Sequence, residues 1–141
     1  MSAESIHQIQ SRLLTLAALF LGLFALALTF SPAARAHSWD VDYRWSHWLG
    51  MILWLVGFWA LHRSTWHWLP QRDPYLLPLM AFIAGWGLLT VWRLMDYYGM
   101  RQTIWLTLAL VILILGIRFP SDLKFLRRYK YLWLTGGLIL T

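Results

Sequence analysis

The chain has 141 residues, of which 60% are hydrophobic and 13% charged, with a mean hydropathy of +0.55 and a formal net charge of +6. A water-soluble domain of this length needs far more polar surface, so the composition points to a helical bundle facing lipid. The absence of cysteine excludes disulfides, thiolate metal sites and a cysteine nucleophile, and leaves the redox compartment open.

The first apolar run is Leu13 to Phe30, 18 residues without a charge, long enough for a membrane span. Ala34-Arg35-Ala36 has the small-x-small pattern of a signal-peptidase site. The run exceeds the roughly 7–15 apolar residues of a signal peptide, so an uncleaved anchor is expected. A second span is predicted from about Trp45 to Leu61, a third from Leu76 to about Met95, and a fourth from Thr103 to Phe119. A fifth begins at Tyr131 and breaks off at Thr141. Such a run makes a helix of roughly 16 Å, about half of a 30 Å hydrocarbon core. A chain end inside hydrocarbon would leave polar groups unsatisfied, so the sequence reads as the front of a longer protein. The expected fold is all-α: a polytopic transmembrane bundle with four complete spans and a truncated fifth.

Lys and Arg favour cytoplasmic loops. With these spans, eight fall on the side of the N-terminus and four on the other, which predicts a cytoplasmic N-terminus. The same bias accounts for the net charge, and no nucleic-acid partner is expected. Trp39, Tyr43, Trp45 and Trp48 cluster at the outer end of the second span, Trp66 and Trp68 at its inner end, and Tyr97 and Tyr98 at the outer end of the third. Amphipathic rings favour the headgroup level, so the eleven tryptophans read as interfacial anchors and lipid-facing bulk.

Few residues offer chemistry. The centres of the four complete spans carry no charge, which argues against ion or proton transport in this segment. Arg93 and Asp96 are three apart and can pair at the end of the third span. His62 and His67 are five apart and share no helical face, so they make no metal pair. His47 and His62 lie at opposite ends of the second span and are candidate pigment or haem ligands. Ala18, Gly22, Ala25 and Thr29, and separately Ala81 and Gly85, form small-residue faces suited to close helix packing. Asp122 to Lys130 alternates Leu123, Phe125 and Leu126 with basic residues, a pattern for lying on an anionic leaflet.

Three stretches carry a family resemblance: Asp73-Pro-Tyr-Leu-Leu-Pro-Leu79, Gly85-Trp-Gly-Leu-Leu-Thr-Val-Trp-Arg-Leu94, and Arg101-Gln-Thr-Ile-Trp105. A basic loop and Arg127-Arg128-Tyr129 follow. In order and spacing, residues 73–141 resemble the start of the SEDS family (shape, elongation, division and sporulation; FtsW/RodA/SpoVE type). Residues 1–72 resemble the two-helix N-terminal extension of a RodA-like subset. The resemblance implies a polytopic bacterial inner-membrane protein that polymerises peptidoglycan glycan strands from lipid II in cell division or cell-shape maintenance. It also implies a class B penicillin-binding protein as partner and a divalent cation in the full-length enzyme. The family's essential acidic residue lies in a later loop, so no catalytic residue is assigned and the segment alone is expected to be inactive. Arg93 and Gln102 match family positions near the outer face and, with Asp96, are the substrate-site candidates. In the alternative reading, the chain is an accessory or scaffold subunit of a photosynthetic or respiratory complex. It would then dock on other membrane subunits, with pigment or haem near His47 or His62. No cofactor is expected in this segment on the family reading.

Overall fold

The computed structural model describes residues 3–69 and 72–118. The basic stretch from Asp122 and the run from Tyr131 lie outside the described residues. Within them the chain is all-helical, with no strand. The helices are α1 (Ala3–Ala36), α2 (His47–Trp68), α3 (Leu76–Leu94) and α4 (Asp96–Arg118). A single extended residue, Met95, separates α3 from α4. Successive helices reverse direction, so the N-terminus of α1, the C-terminus of α2, the N-terminus of α3 and the C-terminus of α4 share one end of the bundle. That end is called the proximal end here.

Three helices, α1, α3 and α4, are long and apolar enough to cross a membrane. At 34 residues, α1 is about 50 Å long and outruns a hydrocarbon core of about 30 Å. The 22-residue α2 has the length of a span and is not among the three. Its five tryptophans and three histidines carry polar nitrogens that lower its hydropathy. The fourth expected span therefore exists as a helix.

α2 packs mainly on α4, α1 on α3, and α3 on α4, while α2 and α3 also meet. α1 touches α2 only lightly. Around the bundle the order is α1–α3–α4–α2, with α2 and α3 closest to its middle. One apolar core links all four helices: Leu21 and Ala25 from α1, Trp54 and Phe58 from α2, Ala81, Leu88 and Trp92 from α3, and Leu110 from α4. This core crosses the boundary at residue 73, so the two stretches distinguished in the sequence share one interior.

Two tryptophans organise this core rather than anchoring at an interface. Trp54 and Trp92 are each 2% exposed. A buried indole N–H needs an acceptor. Trp54 Nε1 donates to the Ala81 carbonyl at 2.9 Å, and Trp92 Nε1 donates to Thr103 Oγ1 at 3.0 Å. Glycines make room for both rings. A Cβ on Gly85 would lie 2.9 Å from Trp54 Nε1, and one on Gly50 would lie 2.6 Å from Trp92 Nε1. Small residues let helices approach where lipid supplies no hydrophobic drive between them. Of the small-residue faces read from sequence, Ala25, Thr29, Ala81 and Gly85 are buried, whereas a Cβ on Gly22 would meet nothing within 4 Å. Trp39, Trp45, Trp66 and Trp68 are exposed near helix ends, as the anchoring reading expects.

Candidate functional site

At the distal end, Arg44 on the α1–α2 connection reaches the α3–α4 turn. Its Nη2 donates to the Trp92 carbonyl at 3.0 Å and its Nη1 to the Arg93 carbonyl at 3.3 Å. These are carbonyls of the last turn of α3, which lack helical partners and favour a cation. Asp96 in the first turn of α4 accepts from Arg44 Nη2 and forms an ion pair with it. The expected Arg93–Asp96 pair is therefore replaced. Met95 is extended, which breaks the helical spacing that would have set Arg93 against Asp96. The Arg93 side chain is exposed and makes no ion pair among the described residues. Gln102 lies exposed in α4, inside the helix rather than ahead of it. Arg93, Asp96 and Gln102 thus belong to the last turn of α3 and the first two turns of α4. Of the three side chains, only that of Asp96 has a polar partner among the described residues, while Arg93 takes part through its carbonyl.

His47 is buried, with 3% of its surface exposed. Its Nε2 lies 2.9 Å from the Ala25 carbonyl and 3.3 Å from Thr29 Oγ1. Because a carbonyl only accepts, Nε2 carries the proton and is not free to bind a metal. Trp48 Nε1 donates to the same hydroxyl at 3.0 Å, so His47 and Trp48 fasten α2 to α1. His62 lies at the other end of α2, its ring stacked on that of His7 at 5.0 Å between centroids. The His62 Nδ1 is enclosed by protein. His47 Nε2 is thus committed to the contact between α1 and α2 and is not available as the ligand of a haem or chlorophyll. No group of three or more His, Cys, Asp or Glu side chains that could hold a metal ion occurs among the described residues.

A second polar cluster occupies the proximal end. Arg72, between α2 and α3, donates from Nε to Gln10 Oε1 at 2.6 Å and from Nη1 to the Thr65 and Leu69 carbonyls at 3.3 Å each. It closes the C-terminal end of α2 much as Arg44 closes that of α3. Gln10, in the third turn of α1, has 0% of its surface exposed. Burial holds the Arg72 pKa below its ordinary value, because a desolvated cation is disfavoured. His7 stacks on Trp66 at 4.2 Å as well as on His62.

No family model matches the chain. No solved structure matches it. It is similar to a bacterial cell-wall enzyme. Peptidoglycan glycosyltransferase RodA of Mycobacterium leprae (strain TN) is 27% identical over 132 residues. The match covers 86% of this chain and 28% of that protein, so the chain spans well under half of its relative's length. It includes more than the stretch from Asp73 onward on which the sequence resemblance rests.

Sequence reasoning missed Arg44, Gln10 and Arg72. A signal for Gln10 was present: Gln10, Ala17, Leu21 and Leu28 follow 7-4-7 spacing and are all buried. Gln10 continues an apolar stripe past the end of the charge-free run. Arg44 and Arg72 lie outside the helices, where periodicity gives no cue.

Proposed function

We propose that the chain is the N-terminal membrane portion of a SEDS-type peptidoglycan glycan polymerase. The observation that carries this reading is the similarity to RodA across 86% of the chain. The sequence stretches at Asp73–Leu79, Gly85–Leu94 and Arg101–Trp105 support it, and so do the three membrane-spanning helices. In this reading α2 also crosses the bacterial inner membrane, with Trp48 and Trp54 satisfied inside the bundle, the exposed Trp59 ring turned outward at mid-helix, and Trp66, His67 and Trp68 near its end. The proximal end faces the cytoplasm and the distal end faces outward. The complete enzyme joins a growing glycan to lipid II and releases a polyprenyl diphosphate, with a class B penicillin-binding protein as partner. This portion supplies scaffold. The polar turn of Arg44, Arg93, Asp96 and Gln102 lies at the outer face, where it would flank the substrate headgroup.

The test is a hybrid in which residues 1–141 replace the matching portion of the Mycobacterium leprae relative. The hybrid is extracted intact from membranes and incubated with labelled lipid II. The expected result is glycan polymer. A hybrid that inserts and stays monodisperse in detergent, yet makes no polymer, would count against the reading.

A further inference from the structure

We propose that His7, Gln10, His62 and Arg72 form a binding site for one anionic phosphate group at the proximal end of the bundle. Four side-chain nitrogens of the cluster lack a hydrogen-bond partner. Arg72 can only donate, so its contact at 2.6 Å identifies the Gln10 atom there as oxygen and leaves Gln10 Nε2 as a donor. Gln10 Nε2 and Arg72 Nη2 are both buried without a partner. The Nδ1 atoms of His7 and His62 are buried and unpartnered too, and each is a donor in the tautomer that places its proton there. Native structures seldom leave such groups unpaired.

The charge is also unmatched. The ion pair of Arg44 with Asp96 is the only one among the described residues, so no described carboxylate neutralises Arg72. A water molecule would accept from two of these donors but leave the cation uncompensated in a partly buried place. An anion with several oxygens meets both needs, and Arg–phosphate contacts are charge-assisted.

Beside His62, Ser11, Leu14, Ala18, Leu55, Phe58 and Trp59 line a mainly apolar slot of about 180 Å³ between α1 and α2. A phosphate at the cluster with a hydrocarbon chain in this slot describes a phospholipid, and a free phosphate shares the headgroup chemistry. The site is at the opposite end of the bundle from the Arg44–Asp96 turn and does not depend on the polymerase reading.

The test uses the full chain with ¹⁵N-labelled histidine in neutral detergent, titrated separately with inorganic phosphate, phosphatidylglycerol and neutral diacylglycerol. Saturable shifts of the His7 and His62 ring signals, with exposed His37 and His67 unmoved, are expected with a phosphate-bearing ligand. Response to phosphate alone identifies the free ion as sufficient, whereas response only to phosphatidylglycerol identifies the lipid. Gln10→Glu supplies a carboxylate to Arg72 inside the same side-chain outline. It should keep wild-type helicity and weaken the response at least tenfold. No shift with either phosphate ligand, an equal shift with diacylglycerol, or a folded Gln10→Glu variant that responds like wild type would overturn the proposal.

Discussion

Gly99→Ala tests whether Trp92 is the fixed centre of the α2–α3–α4 packing. A Cβ at position 99 would lie 2.3 Å from Trp92 Cδ2, 2.6 Å from Cγ and 2.7 Å from Cε3. Ordinary carbon contacts are about 3.5–4.0 Å, so the ring must move by roughly 1 Å or more. Gly50 blocks the retreat, because Trp92 Nε1 already lies 2.6 Å from where a Cβ there would be. Moving the ring also strains the bond from Trp92 Nε1 to Thr103 Oγ1. Overpacking costs about 1–3 kcal/mol, and the hydrogen bond contributes about 1 kcal/mol. Relative to an alanine that gains the same helix propensity but meets nothing, the expected loss is about 2–4 kcal/mol, a shift of roughly 30-fold or more in the folding equilibrium. Gly87→Ala is the control, since its Cβ would meet nothing within 4 Å. It should be neutral or stabilising by up to about 1 kcal/mol through helix propensity. Reversible unfolding in mixed micelles, followed by far-ultraviolet circular dichroism, measures both. If Gly99→Ala unfolds within about 0.5 kcal/mol of the control, the packing argument is wrong.

Three further outcomes follow from the polar contacts and the topology. Arg44→Ala should destabilise more than Asp96→Asn, because Arg44 also holds the Trp92 and Arg93 carbonyls while the carboxylate is largely exposed. The exposed pair itself is worth less than about 1 kcal/mol, and Arg93→Ala should change stability less than either; a dominant effect of Arg93 in the same unfolding assay would restore the Arg93–Asp96 pairing. His47→Leu removes the bond to the Ala25 carbonyl and should cost about 1–3 kcal/mol, with unchanged absorbance in the visible region. A haem or chlorophyll band lost from the natively purified protein on this substitution would favour the accessory-subunit reading. Because the chain has no cysteine, single cysteines report sidedness directly. Ser38→Cys should react with a membrane-impermeant maleimide in intact cells, and Asp73→Cys only after the cells are opened. The reverse pattern would invert the proposed orientation.

The sequence made the helices legible and their ends less so. The first predicted span, Leu13–Phe30, lies inside a helix running from Ala3 to Ala36. Apolarity marks what lipid covers, whereas the hydrogen-bonded spiral continues through polar residues at both ends. The same reason places Arg101 and Gln102 inside α4 instead of before it. For α3, where the apolar run and the helix coincide, the boundaries agree within one residue. The core was harder to read. Trp54 and Trp92 look like the other tryptophans in sequence, and only the facing Gly50, Gly85 and Gly99 from other turns distinguish them. Ala81 and Gly85 were legible as a contact face because their spacing is local. Arg44 was not, because its partners Trp92, Arg93 and Asp96 are about 50 residues away and the fold alone brings them together.

The central claim concerns glycan polymerisation, and the product formed from lipid II tests it most directly. The native gene product is tagged at its own locus, purified from membranes in mild detergent, and incubated with labelled lipid II and a divalent cation, alone and with the class B penicillin-binding protein of the same cell. The account predicts glycan chains that lysozyme digests. Lipid II left unpolymerised in both reactions, by a protein that is monodisperse and retains its helicity, would contradict it.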